Sequence, residues 1–277
     1  MSSSLDLSHI TVSIDGRDLL SGVGLRLNAG QVTAVIGPNG AGKSTLLAVA
    51  AGQLKPRAGR VMLGSRESHK VPTAEAARRR AVMPQDSGVA FAFTVEEVVE
   101  MGRTPWRQAR AGRGFAGRTR AWRGFADDAT AVAHALELTG LTELADRDIT
   151  TLSGGERQRA ALARVIAQAT PVAQGSVILL DEPTSAMDVA HAESTLVLMR
   201  ELASRGAAVG VVLHDLDAAA SYADRLVLLE NGRVRAAGPV AQVCDAAVLS
   251  QVYGTAVEVL DVGGRLRVGP LRPARAA

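Results

Sequence analysis

Eight consecutive residues decide the fold of this chain: Gly37-Pro38-Asn39-Gly40-Ala41-Gly42-Lys43-Ser44. They fit the pattern G-x-x-x-x-G-K-[ST], in which glycines let backbone N–H groups wrap around phosphate oxygens. A buried-strand candidate at residues 31–36 runs into this loop, and residues 44–54 have helical composition. Strand, glycine loop and helix in this order indicate a phosphate-binding loop, because the positive end of the helix dipole favours an anion.

The residue types in the loop suggest separate roles. Lys43 is expected to reach the β- and γ-phosphates of a nucleotide, and the Ser44 hydroxyl to bind Mg²⁺, with Thr45 supporting the same loop. The plainer alternative is a glycine-rich turn that merely precedes a helix. The strand before the loop and the helix after it favour the phosphate-binding interpretation.

Further strands can be predicted on both sides of the loop. Residues 5–14 and 19–27 alternate apolar and polar side chains around the turn signal Asp15-Gly16, which predicts antiparallel strands. Apolar runs at residues 177–180 and 208–213 follow helical stretches and end in Asp181-Glu182 and His214-Asp215. Buried strands that alternate with helices predict a parallel α/β sheet.

Asp181 and Glu182 end one of these strands, so they should lie at the carboxyl edge of the sheet, where open α/β folds bind ligands. Asp181 is expected to hold Mg²⁺ through water, and Glu182 is the natural general base for an attacking water. Strand-end carboxylates can instead be simple helix caps. The glycine loop elsewhere in the chain favours the catalytic interpretation.

Leu152-Ser153-Gly154-Gly155-Glu156 is the most informative stretch outside the loop. Ser153 and Glu156 have the spacing of a capping box at a helix start. A capping box does not explain Gly154 and Gly155, because each glycine weakens the first turn of a helix by roughly 1 kcal/mol. Glycine is favoured there when another group must come close to the bare backbone. A bare helix N-terminus suits a phosphate group.

With these motifs, the chain resembles an ABC-type ATPase over about residues 5–240. That family carries an LSGGQ or LSGGE signature between its phosphate loop and an Asp-Glu pair. The resemblance implies a P-loop NTPase (RecA-like) core with an antiparallel β subdomain, formed by residues 5–85 and 152–240. It also implies an inserted α-helical subdomain at 86–151, whereas residues 241–277, with a predicted hairpin around Gly263-Gly264, form an extension.

Roles can be carried over position by position. Lys43 and Ser44 match the Walker A residues, and Asp181 and Glu182 match the Walker B pair. Gln85 matches the glutamine of the Q-loop, a ligand of Mg²⁺ in the family, and His214 matches the switch histidine that contacts the γ-phosphate. Residues 153–156 match the signature and residues 185–188 the D-loop.

The family binds ATP and Mg²⁺ between the phosphate loop of one subunit and the signature of another. This chain has one copy of each motif, which implies a homodimer. It also implies transmembrane permease subunits, two per complex, and an indirect link to a periplasmic or lipid-anchored substrate-binding protein. One departure concerns adenine: the family usually stacks an aromatic side chain on it, and the aligned residue here is Ile14.

Two stretches resemble hemin and other iron-chelate importers. Phe91-Ala92-Phe93-Thr94-Val95-Glu96-Glu97-Val98-Val99 is similar to their FPFTVxEVV, and Asp188-Val189-Ala190-His191 to their LDxAH. Extra residues at 168–176 favour the hemin importers over importers of iron siderophores or vitamin B12. A non-transport ABC ATPase, such as one for iron-sulfur cluster assembly, is the alternative from another class.

The resemblance implies a peripheral protein at the cytoplasmic face of the cell membrane, and the composition agrees with that location. The only cysteine, Cys244, excludes an internal disulfide, and apolar runs stop far short of a membrane span. Seven arginines and no acid lie within residues 101–126, yet the whole chain carries a formal charge of only +3. We interpret this segment as a solvated insertion, with partner or lipid contact as the alternative, and expect no nucleic-acid binding.

Overall fold

The computed structural model describes residues 3–85, 92–111 and 128–272. The strands are β1 Ser3–Ile14, β2 Arg17–Asn28, β3 Val32–Ile36, β4 Ala58–Leu63, β5 Arg66–Glu67, β6 Arg80–Met83, β7 Val177–Asp181, β8 Ala208–Val212, β9 Arg225–Glu230, β10 Arg233–Pro239, β11 Val257–Val262 and β12 Arg265–Pro270. The helices are α1 Lys43–Ala51, α2 Thr73–Arg79, α3 Val95–Glu100, α4 Thr104–Ala111, α5 Asp128–Leu138, α6 Gly154–Ala169, α7 Val189–Ser204, α8 Leu216–Tyr222, α9 Val240–Val243 and α10 Ala246–Tyr253.

A six-stranded sheet, in the order β10-β9-β3-β8-β7-β6, carries the nucleotide-binding motifs. Its strands from β9 to β6 are parallel, and only β10 is antiparallel. Every residue of β3, β7 and β8 is buried, as expected for parallel strands covered on both faces. The carboxyl ends of these three strands are therefore neighbours at one edge, although they are far apart in sequence.

A second, antiparallel sheet has the order β2-β1-β4-β5. Its first hairpin turns at Asp15 and Gly16, both with positive φ. The predicted antiparallel β subdomain is confirmed, and so is the α/β core.

Two hydrophobic cores cover the two faces of the parallel sheet. Because strand side chains alternate, Val35 joins one core, with α1 and the antiparallel sheet, whereas Ala34 and Ile36 join the other. The second core also contains α5, α6 and α7. Buried residues of the C-terminal extension belong to it as well, namely Val243, Leu249, Val252, Val257 and Val268.

Part of the inserted segment is described. Thr94 and Glu97 form the predicted capping box of α3, with each side chain bonded to the backbone amide of the other residue. Phe93 packs against the main core, whereas Phe91 and the rest of residues 86–91 lie outside the described residues.

The interpretation of residues 102–125 as a solvated insertion is wrong for its first part, and residues 112–127 lie outside the described ranges. Arg103 and Trp106 are buried. The Arg103 guanidinium bonds to Asp128 at 3.0 Å and to the carbonyl oxygens of Ala167 and Thr170 at 2.6 and 2.5 Å. A buried arginine is tolerated here because acceptors surround it.

Within the described ranges, every helix is too short or too polar to cross a bilayer.

Candidate nucleotide site

The loop between β3 and α1 depends on its glycines. Gly37 lies at φ +146°, and a Cβ there would come within 2.2 Å of the Leu229 carbonyl oxygen. Gly40 and Gly42 also adopt positive φ, at +78° and +97°. The N-cap residue of α1 is Gly42, which has no side chain to cap the helix, so the amides of the first turn suit an anion.

Lys43 is folded back onto the loop. Its ammonium group donates hydrogen bonds to the carbonyl oxygens of Gly37 at 2.8 Å and Pro38 at 3.0 Å. Burial lowers the pKa of Lys43, and the charges of Glu182 and Asp181 oppose that shift. The cation is thus held at the loop by backbone groups that a phosphate could replace as its partner.

Asp181 is the last residue of β7 and is only 6% exposed. Burial raises the pKa of its carboxyl, although a hydrogen bond from the Ser44 side chain opposes that rise. The Oδ1 atom is buried and has no hydrogen-bond partner among the described residues. A buried carboxylate oxygen without a partner, beside a hydroxyl, is a donor set that suits a hard divalent cation.

Glu182 and His214 meet at the ends of β7 and β8. The Nε2 atom of His214 is in contact with the Glu182 carboxylate. Glu182 adopts φ +51°, which is uncommon for a residue with a side chain, and its amide donates to the Val212 carbonyl oxygen at 3.2 Å. A backbone in this uncommon conformation thus coincides with the contact between the carboxylate and the histidine.

One cleft of about 310 Å³ collects most of the predicted site residues. It is lined by Leu19, Asn39, Gly40, Gly42, Lys43, Ser44, Thr45, Gln85, Glu182 and His214. Gly37, Pro38 and Ala41 belong to the same loop but do not line the cleft, and Asp181 is connected to it through Ser44. The structure therefore brings together candidates from the Walker A loop, the Q-loop, the Walker B pair and the histidine.

The stretch Ser153 to Glu156 does not line this cleft. Ser153 and Glu156 form the predicted capping box of α6, and their hydrogen bonds lower the pKa of Glu156. A Cβ at Gly155 would come within 3.0 Å of the Ala186 carbonyl oxygen, so the bare backbone also serves a close contact inside the chain. Ser153 and Gly154 at the start of α6 are exposed, whereas Gly155 and Glu156 are half-buried.

The family model that matches this chain is the ABC transporter model, over residues 20–185. The chain belongs to the ABC transporter family, as an ATP-binding subunit. It is an ATPase coupled to transport, in agreement with the prediction from its motifs.

Curated relatives of this ABC ATPase include the hemin import ATP-binding protein HmuV of Rhodococcus jostii, 46% identical over 96% of this chain and 86% of the relative. The HmuV protein of Pseudomonas entomophila is also 46% identical, over 92% and 94%.

Among solved structures, a protein described as a metal-chelate type ABC transporter, in an inward-facing conformation, superposes with a TM-score of 0.74. It is 26% identical and covers 98% of both chains. The dimeric bacterial ABC transporter cassette MJ0796 has a TM-score of 0.69 and 26% identity, over 85% of this chain and 98% of that one.

Three residues of the ABC ATPase site escaped the sequence analysis. Gln158 donates to the Glu182 carbonyl oxygen at 2.6 Å and accepts from the Ala186 amide at 2.9 Å, so it ties α6 to the Walker B residue and to the D-loop. The sequence could have indicated Gln158, because it follows Gly154 by four positions and therefore lies on the same face of α6.

The other two residues are Leu19, which is apolar, and Tyr253, which has an aromatic ring and a hydroxyl group. Leu19 lines the cleft, whereas Ile14, expected near adenine, is 46% exposed and does not. Tyr253 of α10 approaches the loop from behind: burial raises the pKa of its phenol to about 12, and the Gly37 amide opposes this rise. Both contacts depend on tertiary packing, and no local pattern marks them.

Proposed function

We propose that this ATPase powers the import of hemin through a separate membrane permease. The ATPase part of this proposal rests on one observation: four side chains line the same cleft, namely Lys43, Ser44, Glu182 and His214. The cargo is inferred from the relatives named as hemin import proteins, which align with nearly the whole chain. The stretches at residues 93–99 and 188–191 support the same subgroup.

Mg²⁺ fits the residues at this edge of the sheet. The Asp181 carboxylate, the Ser44 hydroxyl and the Gln85 amide oxygen would hold it, and the unpartnered Oδ1 of Asp181 supports this assignment. When bound, the ion would offset negative charge on the β- and γ-phosphates. The preference of such hard cations for oxygen ligands matches the three side chains.

The protein's own residues have distinct tasks in hydrolysis. The amides of the Gly37 to Gly42 loop and the Lys43 ammonium bind the phosphates. Glu182 orients the attacking water and accepts its proton, and His214, in contact with that carboxylate, holds it in place and faces the γ-phosphate. The strained backbone at Glu182 fixes the direction of the base before the substrate arrives.

A complete site needs a second copy of the chain. The signature residues Ser153 to Glu156 lie outside the cleft that holds the phosphate loop. The capping box uses the amides of Ser153 and Glu156, which leaves the bare backbone of Gly154 and Gly155 at the start of α6 to face another molecule. Two copies facing each other would bring each signature to the other's loop. The matched dimeric cassette supports this arrangement.

Other partners complete the proposed transporter. Two permease subunits would receive the motion of the inserted helices α3 to α5, and a periplasmic or lipid-anchored binding protein would deliver hemin to them. The ATPase would then reside at the cytoplasmic face of the membrane, bound to the permease. Opening and closing of the dimer would convert ATP binding and hydrolysis into mechanical work.

Reconstitution tests the cargo. The complex of this chain with its permease is placed in lipid nanodiscs, and ATP hydrolysis is measured with binding proteins loaded with hemin, a ferric siderophore or vitamin B12. We expect stimulation by the hemin-loaded protein alone, and none in a Lys43→Ala complex, which should bind nucleotide poorly. Stimulation only by another loaded protein would refute hemin import but leave the ATPase assignment intact. Copurification with soluble assembly factors and no permease would refute transport.

A further inference from the structure

The C-terminal hairpin is attached to the helix that follows His214. Arg267 of β12 forms an ion pair with Asp217 of α8. The neighbouring Val268 amide donates to Oδ1 of the same carboxylate at 3.1 Å. Asp217 therefore has one carboxylate oxygen bonded to a side chain and the other to the backbone of β12, a pairing that fixes both its position and its orientation.

Apolar packing reinforces this attachment. Val257 and Val268 of the hairpin are buried in the main core, and Leu266 packs against that core together with Leu216, the first residue of α8. The ion pair alone would contribute little, because both of its side chains are partly exposed. Together with the backbone hydrogen bond and the buried valines, it fixes one hairpin against one short helix.

His214 lies three residues before Asp217, in the short connection between β8 and α8. On its strand side, the Leu213 amide donates to the Val35 carbonyl oxygen at 3.3 Å. On its helix side, Asp215 caps α8 by accepting from the amides of Asp217 and Ala218, at 2.8 and 3.1 Å. The direction of the connection thus depends on where α8 begins.

The His214 side chain has little support of its own. It is 45% exposed, and its one hydrogen-bonding contact among the described residues is with Glu182. A half-exposed imidazole is oriented mainly by its backbone, so a displacement of α8 would move the ring relative to the Glu182 carboxylate. Small displacements of catalytic groups reduce rates even when substrate binding is unchanged.

We propose that the β11–β12 hairpin is a positioning element of the ATPase site, and that Arg267 and Asp217 are positioning residues that hold His214 against Glu182. The hairpin thereby influences the rate of ATP hydrolysis, whereas ATP binding depends on the residues of the phosphate loop. This inference rests on the ATPase activity and is independent of which cargo the transporter moves.

The test uses the full-length chain in complex with its permease. The variants are Arg267→Glu, Asp217→Arg and the double swap, with Arg267→Gln as a milder change in case the reversal destabilises the fold. Arg26→Glu is the matched control, because Arg26 also forms an exposed ion pair, with Asp6, away from the cleft. The kcat and KM for ATP are measured for each, and the unfolding midpoint is followed alongside.

We expect each single reversal to lower kcat by about two- to fivefold, the effect of losing an exposed ion pair on the positioning of one group, with KM for ATP nearly unchanged. The double swap should have a higher kcat than Asp217→Arg, because the ion pair returns, but should stay below the parent, because the Val268 amide loses its acceptor. The control should match the parent. A double swap no more active than Asp217→Arg, or an equal loss in the control, would overturn the proposal.

A spectroscopic readout separates positioning from general destabilisation and requires no turnover. The chain has five histidines, so ¹³C labelling at the ring Cε1 position gives five signals, and His214→Gln assigns the relevant one. We expect Arg267→Glu to shift the His214 signal, the swap to move it back toward the parent position, and the His69 signal to stay in place. An unchanged His214 signal in both Arg267→Glu and Arg267→Gln would refute the link between the hairpin and the histidine.

Discussion

Replacing Asp181 by asparagine should stabilise this ATPase in the absence of nucleotide and weaken its response to Mg-ATP. The carboxylate is buried at the end of β7, and its Oδ1 atom has no hydrogen-bond partner within the described ranges. Asparagine has nearly the same shape, carries no charge and can still accept the hydrogen bond from Ser44. The substitution therefore removes a buried charge and changes the packing very little.

The size of the effect follows from these contacts. A buried polar group without a partner costs about 1–3 kcal/mol, and a charged one costs more. Asparagine keeps the unpartnered atom but removes the extra cost of the charge, and losing the attraction of Lys43 offsets part of that gain. A net gain of about 1–2 kcal/mol in the free energy of unfolding would raise the melting temperature by roughly 2–6 °C for a chain of this length.

The pH dependence has a definite sign. The pKa of Asp181 is raised in the folded chain above its ordinary value of 3.8, so the folded state binds more protons than the unfolded state between the two pKa values. The cost of the ionised carboxylate is present at neutral pH and fades as pH falls through the folded pKa. The advantage of Asp181→Asn should therefore be largest at neutral pH and shrink on acidification.

Thermal unfolding by differential scanning fluorimetry, with and without Mg-ATP, checks both parts. Ligand at about 100 times its Kd stabilises a protein by about 2.7 kcal/mol, and we expect the parent to gain this and the variant to gain much less. The order of stability should then reverse between the two conditions. ATP with a chelator is the control. A variant less stable than the parent without nucleotide, or an equal gain with Mg-ATP, would refute the reasoning.

Four other substitutions test the site and the core. Glu182→Gln should lower ATP hydrolysis by at least about 100-fold and leave an ATP-bound dimer on size-exclusion chromatography; retained turnover would remove Glu182 as the base. In denaturant titration, Gly37→Ala should lower the free energy of unfolding by about 3 kcal/mol or more, because the added Cβ meets the Leu229 backbone. Gly40→Ala has open space around its Cβ and should lower it by only about 1–2 kcal/mol, the cost of its positive φ. Thr33→Val should raise stability by about 1 kcal/mol, because its buried hydroxyl has no partner among the described residues; a lower melting temperature would count against this.

Much of the fold could be predicted because its signals are local. Alternating apolar residues around Asp15-Gly16 specify the first hairpin, and the glycine loop after residues 31–36 specifies a strand followed by a helix. Capping boxes at Thr94 and Ser153 also depend on side chains only three residues apart. Their hydrogen bonds form within one helical turn, so the sequence alone is sufficient to predict them.

The buried state of Arg103 shows where such reasoning fails. An arginine in a segment with seven arginines and no acid is expected at the surface, and acceptors of Arg103 come from distant parts of the chain: Asp128, Ala167 and Thr170. No local pattern indicates that these oxygens converge. The same holds for Gln158, whose contacts with Glu182 and Ala186 lie 24 and 28 positions away.

The sequence by itself determined which groups we expect this protein to use, namely Lys43, Ser44, Asp181, Glu182 and His214, because each motif requires particular side chains next to a strand end or a helix start. Only the tertiary structure decided how they meet. Parallel strands need long crossovers, so the neighbours β3, β7 and β8 are distant in sequence, and their order results from packing. The attachment of the C-terminal hairpin to α8, fifty positions away, was decided in the same way.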